Sequence, residues 1–76
     1  MEKIKYTSSD LGLSAAILSL NHRLVSSVKE GARMQFTFEG GEEIQNDIEG
    51  WAQGTLQVSA RAYFDAIKNL KGRIYN

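Results

Sequence analysis

The clearest pattern in the sequence is a helical repeat of apolar side chains near its C-terminal end. Residues Leu56 to Tyr75 carry this repeat, and its period of three to four residues is typical of an amphipathic helix. The apolar positions are Ala60, Tyr63, Phe64, Ile67, Leu70 and Ile74. Ser59 has a hydroxyl that can accept a hydrogen bond from a first-turn amide, so we predict that it caps this helix.

A shorter run predicts another helix, from about Asp10 to Leu20. Serines and an aspartate precede the run, and residues of this kind favour a helix start. The run is apolar on nearly every side, which is typical of a helix enclosed by other elements. Gly12 costs about 1 kcal/mol relative to alanine inside a helix. We therefore expect Gly12 to allow the close approach of a neighbour.

Two segments between these helices predict a β-hairpin. Arg23 to Lys29 and Arg33 to Phe38 flank Glu30-Gly31-Ala32, a three-residue connection that contains a glycine. A hairpin alone is marginally stable in water. We therefore expect a third strand, formed either by Ile4 to Tyr6 or by Leu56 to Val58.

Alternation along each strand predicts which side chains face the core. In the second strand Met34, Phe36 and Phe38 alternate with polar residues and are expected to face inward. The first strand leaves two inward sets open, Leu24, Ser26 and Val28 or Arg23, Val25 and Ser27. The first of these sets is the more apolar.

The segment after the hairpin predicts an acidic helix. Ile44, Ile48 and Trp51 lie on one helical face, and Gly54 follows as a left-handed cap. Five acids and no base lie between Glu39 and Glu49, whereas four bases and one acid lie between Arg61 and Arg73.

These elements predict one small α+β domain over residues 1–76, built as helix, β-hairpin, helix and helix. A short N-terminal third strand is one option. The predicted core is Leu13, Ile17, Leu20, Met34, Phe36, Phe38, Ile48, Trp51, Phe64, Ile67 and Leu70.

Composition limits the function further. A chain of 76 residues has room for one small core, so self-association would add stability. Without cysteine there is neither a disulfide framework nor a thiolate metal site. The net charge of zero gives no overall attraction to nucleic acid or to an anionic membrane. The apolar run Leu11 to Leu20 is shorter than the roughly 20 residues that span a bilayer, so we expect a cytoplasmic protein.

No motif in the sequence favours catalysis. The carboxylates of Glu42, Glu43, Asp47 and Glu49 favour a solvated helix face over a divalent-cation site, because they lack the spacing of a calcium-binding loop. His22 is predicted to be a surface loop residue. The serines show no nucleophile-elbow pattern. We therefore predict no enzyme activity, catalytic residue, metal, cofactor or small-molecule substrate.

Three segments resemble a known family. They are TSSDLGLSAAILSL, WAQGTLQVSARAYF and YFDAIKNLKGRIYN, which together cover much of the chain. They are similar to a family of small uncharacterised proteins, about 75 residues long, from bacteria and their phages. The resemblance implies a helix, a β-hairpin, an acidic segment and an aromatic, basic helix. It implies no catalytic or binding residue.

The sequence therefore favours a small protein-interaction or accessory module that binds another protein or itself. Weak, non-specific nucleic-acid binding is the alternative. The residues that would carry it are Arg23, Lys29, Arg33, Lys68, Lys71 and Arg73. Whether these bases converge on one face decides between the two functions, because only a converged patch would offset the zero net charge.

Overall fold

The computed structural model describes residues 3–74, which form three helices and a three-stranded antiparallel sheet. The elements are β1 (Ile4–Ser8), α1 (Leu11–Ser19), β2 (Arg23–Glu30), β3 (Arg33–Gly40), α2 (Glu42–Gln53) and α3 (Ala60–Ile74). The predicted α+β architecture is confirmed, including the N-terminal third strand. Residues 56–58, the other candidate strand, lie in the loop before α3.

The sheet has the order β1-β3-β2, so the strand that carries the buried Phe36 and Phe38 lies at its centre. Both neighbours run antiparallel to β3 and are therefore parallel to each other, with α1 as the connection between them. Glu30 lies opposite Arg33, which leaves Gly31 and Ala32 as a two-residue turn rather than the predicted three-residue one. Gly31 has a φ of 62°, a conformation that costs glycine little.

Helix α1 is the centre of the core, as predicted. Its five consecutive residues from Leu13 to Ile17 are all buried, because the sheet, α2 and α3 surround the helix. Asp10 caps it, and its Oδ1 accepts a hydrogen bond of 3.1 Å from the Leu13 amide. A Cβ atom at Gly12 would lie 3.3 Å from the Trp51 indole. The close approach predicted at Gly12 is confirmed, and the neighbour is Trp51.

The predicted core is confirmed in most of its members and wrong in two. Leu13, Ile17, Phe36, Phe38 and Leu70 are buried. Met34, Ile48 and Ile67 are half-buried and pack against this core. Leu20 is half-buried at the end of α1 and is not part of that packing. Ala15, Ala16, Ile44 and Ala66 complete the buried set.

Phe64 and Trp51 are the two wrong core assignments, with 58% and 38% of their surface exposed. Adjacent helical residues point about 100° apart, so only one of Tyr63 and Phe64 can face the core. Tyr63 does so, and its hydroxyl donates to the Gly12 carbonyl at 3.2 Å. Trp51 rests on Gly12 at the rim of the core and leaves part of its indole in solvent.

A β-bulge changes the inward face of β2. The register shifts between Leu24 and Ser26, and beyond the shift Ser27 lies opposite Phe36. Val28 lies opposite Gln35 on the outer face and is 51% exposed. The predicted inward set is therefore correct for Leu24 and wrong for Ser26 and Val28, because an extra residue in one strand reverses the alternation beyond it.

The helix caps predicted at Gly54 and Ser59 are confirmed. Gly54 ends α2 in the left-handed conformation, with a φ of 75°. The Ser59 hydroxyl accepts a hydrogen bond of 3.3 Å from the Ala62 amide at the start of α3. None of the helices within residues 3–74 combines the length and the apolar character that a bilayer crossing requires.

Candidate interaction surfaces

Helix α3 has a core face and an exposed face of different chemistry. Tyr63, Ala66 and Leu70 face the core. Arg61, Phe64, Lys68 and Lys71 follow one another at intervals of three or four residues, so they lie along one side of the helix. All four are exposed. We call these four residues the basic stripe.

An aromatic ring and a cation meet within the basic stripe. The Lys68 Nζ lies 5.4 Å from the centroid of the Phe64 ring, which is within the range of a cation–π interaction. Arg61 forms an exposed ion pair with Asp65, at 3.6 Å between Nε and Oδ2. Such a solvated pair contributes at most about 1 kcal/mol. Arg61 can therefore exchange Asp65 for another carboxylate at little cost.

Helix α2 presents the opposite charge. It contains four acids and no base, and its Glu42, Glu43 and Glu49 are exposed. We call these three residues the acidic face. None of the three forms a salt bridge with a base within residues 3–74. Glu42 and Glu43 also favour the helix start, where carboxylates complement the macrodipole.

The fourth acid of α2 has a different environment. The Oδ2 of Asp47 lies 2.6 Å from the Nε2 of His22. The His22 side chain is only 9% exposed and that of Asp47 24%. The prediction of a surface loop histidine is therefore wrong, and Asp47 does not belong to a solvated face with Glu43. The pair instead joins the start of β2 to α2.

The His22–Asp47 pair offers little to a metal. Within the described part of the chain, no group of three His, Asp or Glu side chains is placed to hold a metal ion. The other ring nitrogen of His22, Nδ1, points toward Gly40 and lies 3.5 Å from where a Cβ atom at that residue would be. The pair is thus best explained as a structural contact between two elements.

The six bases predicted for nucleic-acid binding lie on three different surfaces. Lys68 and Lys71 belong to the basic stripe. Arg73 is two residues beyond Lys71, so it points about 200° away, and its Nη1 donates to the Ser27 hydroxyl at 3.5 Å. Lys29 is on the same side of β2 as Ser27.

Arg23 and Arg33 lie on the outer face of the sheet, opposite Glu39 and Glu30. The structure therefore brings together Lys68 with Lys71 and places Lys29 and Arg73 on the helical side of β2, but it does not unite all six bases. Sequence reasoning missed Phe64 as a surface residue because the ring was assigned to the core. The spacing of residues 61, 64, 68 and 71 is the signal that could have identified the stripe.

The free edge of β2 is a weaker candidate surface. An exposed strand edge can pair with another strand, but bulges and charged side chains that point inward hinder this pairing. β2 has both features, because its bulge lies beside Val25 and Lys29 points to the helical side.

A shallow groove formed by Gly50, Trp51, Gly54 and Leu56 has no charged side chain in its wall.

The family of the chain follows from a comparison with protein-family models. The model of DUF5659, described as a domain of unknown function, matches residues 2–76. The chain belongs to the DUF5659 family. The resemblance of this DUF5659 domain to an uncharacterised family of about 75 residues is thereby confirmed. Comparisons with curated proteins and with solved structures find no match. The function of the DUF5659 domain therefore has to be argued from its surfaces.

Proposed function

We propose that this DUF5659 domain is a small, non-catalytic protein-interaction or accessory module that binds its partner through the basic stripe of α3. One observation carries the proposal: Phe64 stays 58% exposed beside Lys68, in a stripe that also contains Arg61 and Lys71. Aromatic and arginine side chains are enriched at protein interfaces. A partner that covers the ring and pairs with the bases uses both kinds of contact.

The exposed ring of Phe64 can contribute directly to the free energy of binding. Burying a phenylalanine side chain completely contributes about 1.5–3 kcal/mol, so covering the exposed half of Phe64 would contribute roughly half as much. Residues that dominate binding energy lie near the centre of an interface, where the contacts around them exclude water. The bases would add specificity for an acidic partner and a faster association.

We expect the protein to act without a metal, a cofactor or a catalytic residue. Because the sequence resembles proteins from bacteria and their phages, we expect a cytoplasmic accessory role in one of these two settings. These expectations rest on the sequence.

Affinity capture from the native cells tests the proposed function. The tagged protein is compared with Phe64→Ala/Lys68→Ala and with a control, Val28→Ala/Lys29→Ala, which removes an exposed apolar residue and an adjacent lysine from the hairpin. Half of each sample is treated with nuclease. We expect protein partners that survive nuclease, disappear with the stripe variant and remain with the control. Equal recovery with both variants would show that the stripe is not the binding surface.

Nucleic-acid binding is the second candidate, and one feature of the stripe favours it. A solvent-exposed ring next to lysines resembles the stacking and phosphate contacts of single-strand binders. The predicted bases are divided among three surfaces, so few of them can act together. We expect weak electrostatic binding with little sequence preference, and a slope of about −3 for log affinity against log salt concentration.

Titration of a labelled single-stranded oligonucleotide at two salt concentrations tests this alternative. We expect no measurable binding at physiological salt, and at lower salt an affinity no better than the non-specific range of about 0.1 mM to 1 μM. Tight binding that persists in salt, and that weakens when Lys68 and Lys71 are changed to Glu, would make nucleic-acid binding the leading function. Weakening by Arg23→Glu/Arg33→Glu instead would indicate the outer sheet face.

A further inference from the structure

We infer that the partner of the basic stripe is a second copy of the same chain, which presents the acidic face of its α2. This inference rests on the proposed function and names its partner. It starts from the distribution of charge. The chain has a net charge of zero, yet α2 contains four of its nine acids and no base, whereas α3 contains four of its nine bases and one acid. Two copies can therefore attract each other although neither carries an overall charge.

The charges of the two helices remain available for such a contact. Within residues 3–74, no salt bridge joins α2 to α3. Among the described residues, the Asp47 carboxylate of α2 contacts His22, and the other three acids of α2 form no salt bridge. On the basic stripe, Arg61 contacts Asp65 in solvent and Lys68 lies over Phe64.

The spacing of the charges also matches. Glu42 and Glu49 are seven residues apart, and so are Arg61 and Lys68. At about 1.5 Å per residue, each pair of charges is separated by roughly 10.5 Å along its helix. When α2 of one copy lies antiparallel to α3 of the other, both glutamates can face a base at the same time. The first pairs with Lys68 and the second with Arg61.

This arrangement also covers the exposed ring. Asn46 is four residues after Glu42, and Phe64 is four residues before Lys68. Phe64 of one copy therefore lies between the two ion pairs and beside Asn46 of the other copy. Water is excluded from the ring, and both carboxylates gain a partner.

The position of the two helices allows the contact to occur twice. Ile44 of α2 and Leu70 of α3 belong to the same core cluster as Phe36, so both helices lie on one side of the sheet. Helix α1 contacts both of them. A two-fold axis can then place each α2 on the other copy's α3 in a closed dimer, which is the commonest symmetry of soluble oligomers.

The test measures association by sedimentation equilibrium in wild type and in charge-reversed variants. One variant is Arg61→Glu/Lys68→Glu and the other is Glu42→Lys/Glu49→Lys. We expect each variant alone to dimerise at least about tenfold more weakly than wild type, because each ion pair becomes a repulsion. An equal mixture of the two variants has complementary charges in both contacts, so we expect the dimer to return.

A chain with all four substitutions should also dimerise again, which shows that the reversed helices still fold. The control is Lys29→Glu/Arg33→Glu, which alters the net charge by the same amount as the first variant and should leave the dimer unchanged. Wild-type association should weaken between about 0.1 M and 1 M salt, as the screening length falls from about 10 Å to about 3 Å.

Two results would overturn the inference. One is a wild-type protein that sediments as an 8.5 kDa species at high micromolar concentration. The other is a dimer that neither reversal weakens, since such a dimer uses another surface. In either case, capture of a partner that depends on Phe64 and Lys68 would show that the proposed function stands and that the partner is a different acidic protein. If the stripe variant also leaves capture unchanged, both proposals fail.

Discussion

The two strands of the hairpin, β3 and β2, are held in the molecule by different forces. β3 lies between two other strands and buries Phe36 and Phe38 against the helices. β2 lies at an edge, exposes Val28 and has a bulge beside Val25. Its connections to the helices include polar contacts, between His22 and Asp47 at its start and between Ser27 and Arg73 along its length.

The difference shows that two neighbouring strands of similar length can contribute very unequally to stability. A central strand with strict alternation brings all its large apolar side chains to the core. An edge strand with one extra residue directs part of its apolar surface to solvent and depends more on specific polar contacts. Three substitutions with decreasing expected effects test this contrast.

Phe36→Ala should have the largest effect. Phe36 is fully buried at the centre of the sheet, and truncation of such a ring costs about 3–5 kcal/mol. This loss is comparable to the whole stability of a small domain, so we expect a largely unfolded protein. Urea denaturation followed by circular dichroism measures it. An unchanged midpoint would contradict the register of β3.

Removal of the polar contact at the start of β2 should have an intermediate effect. His22→Ala leaves the carboxylate of Asp47 without its partner, which should cost about 1–3 kcal/mol. A double-mutant cycle with Asp47→Ala measures the coupling between the two side chains. We expect a coupling energy of at least about 0.5 kcal/mol. Strictly additive losses would show that the short contact does not stabilise the fold.

Val28→Thr should have the smallest effect. Val28 points outward, and threonine has nearly the same shape and is equally suited to a strand, so the change should stay within about 0.5 kcal/mol. The matched control is Leu24→Thr, at the inward position opposite Phe38, which should lose more than about 1 kcal/mol. Equal losses at the two positions would indicate that β2 has no bulge and that Val28 belongs to the core.

The sequence predicts the elements of this fold well because each carries a repeated signal. The apolar run of α1, the alternation of β3 and the capped repeat of α3 each involve several residues that agree. The bulge in β2 is different, since a slip of one residue leaves no clear mark in the sequence. Beyond Val25 the inward–outward alternation of side chains shifts by one residue, so every later side chain in that strand points to the face opposite to the predicted one.

The surfaces were harder to predict than the elements. Tyr63 and Phe64 are both aromatic and adjacent, and the sequence does not show that the Tyr63 hydroxyl donates to the distant Gly12 carbonyl from the inward position. His22 and Asp47 are 25 residues apart, and they meet only because the sheet and α2 bring them together. The division of the six bases among three surfaces likewise depends on tertiary structure.

The pairing of β1 with β3 has a consequence for the order of folding. The hairpin joins strands separated by two residues, whereas the nearest β1–β3 pair, Ser8 with Phe36, closes a loop of 27 intervening residues. That longer loop costs about 2 kcal/mol more in chain entropy than the turn does. We therefore expect β1 to dock late in folding, after the β2–β3 hairpin has formed.

Pulsed hydrogen exchange during refolding tests this order. The amides of β1 should become protected after those of the hairpin, and simultaneous protection would exclude the order. During synthesis β1 is made first, so it would have to wait for β3 before it can pair.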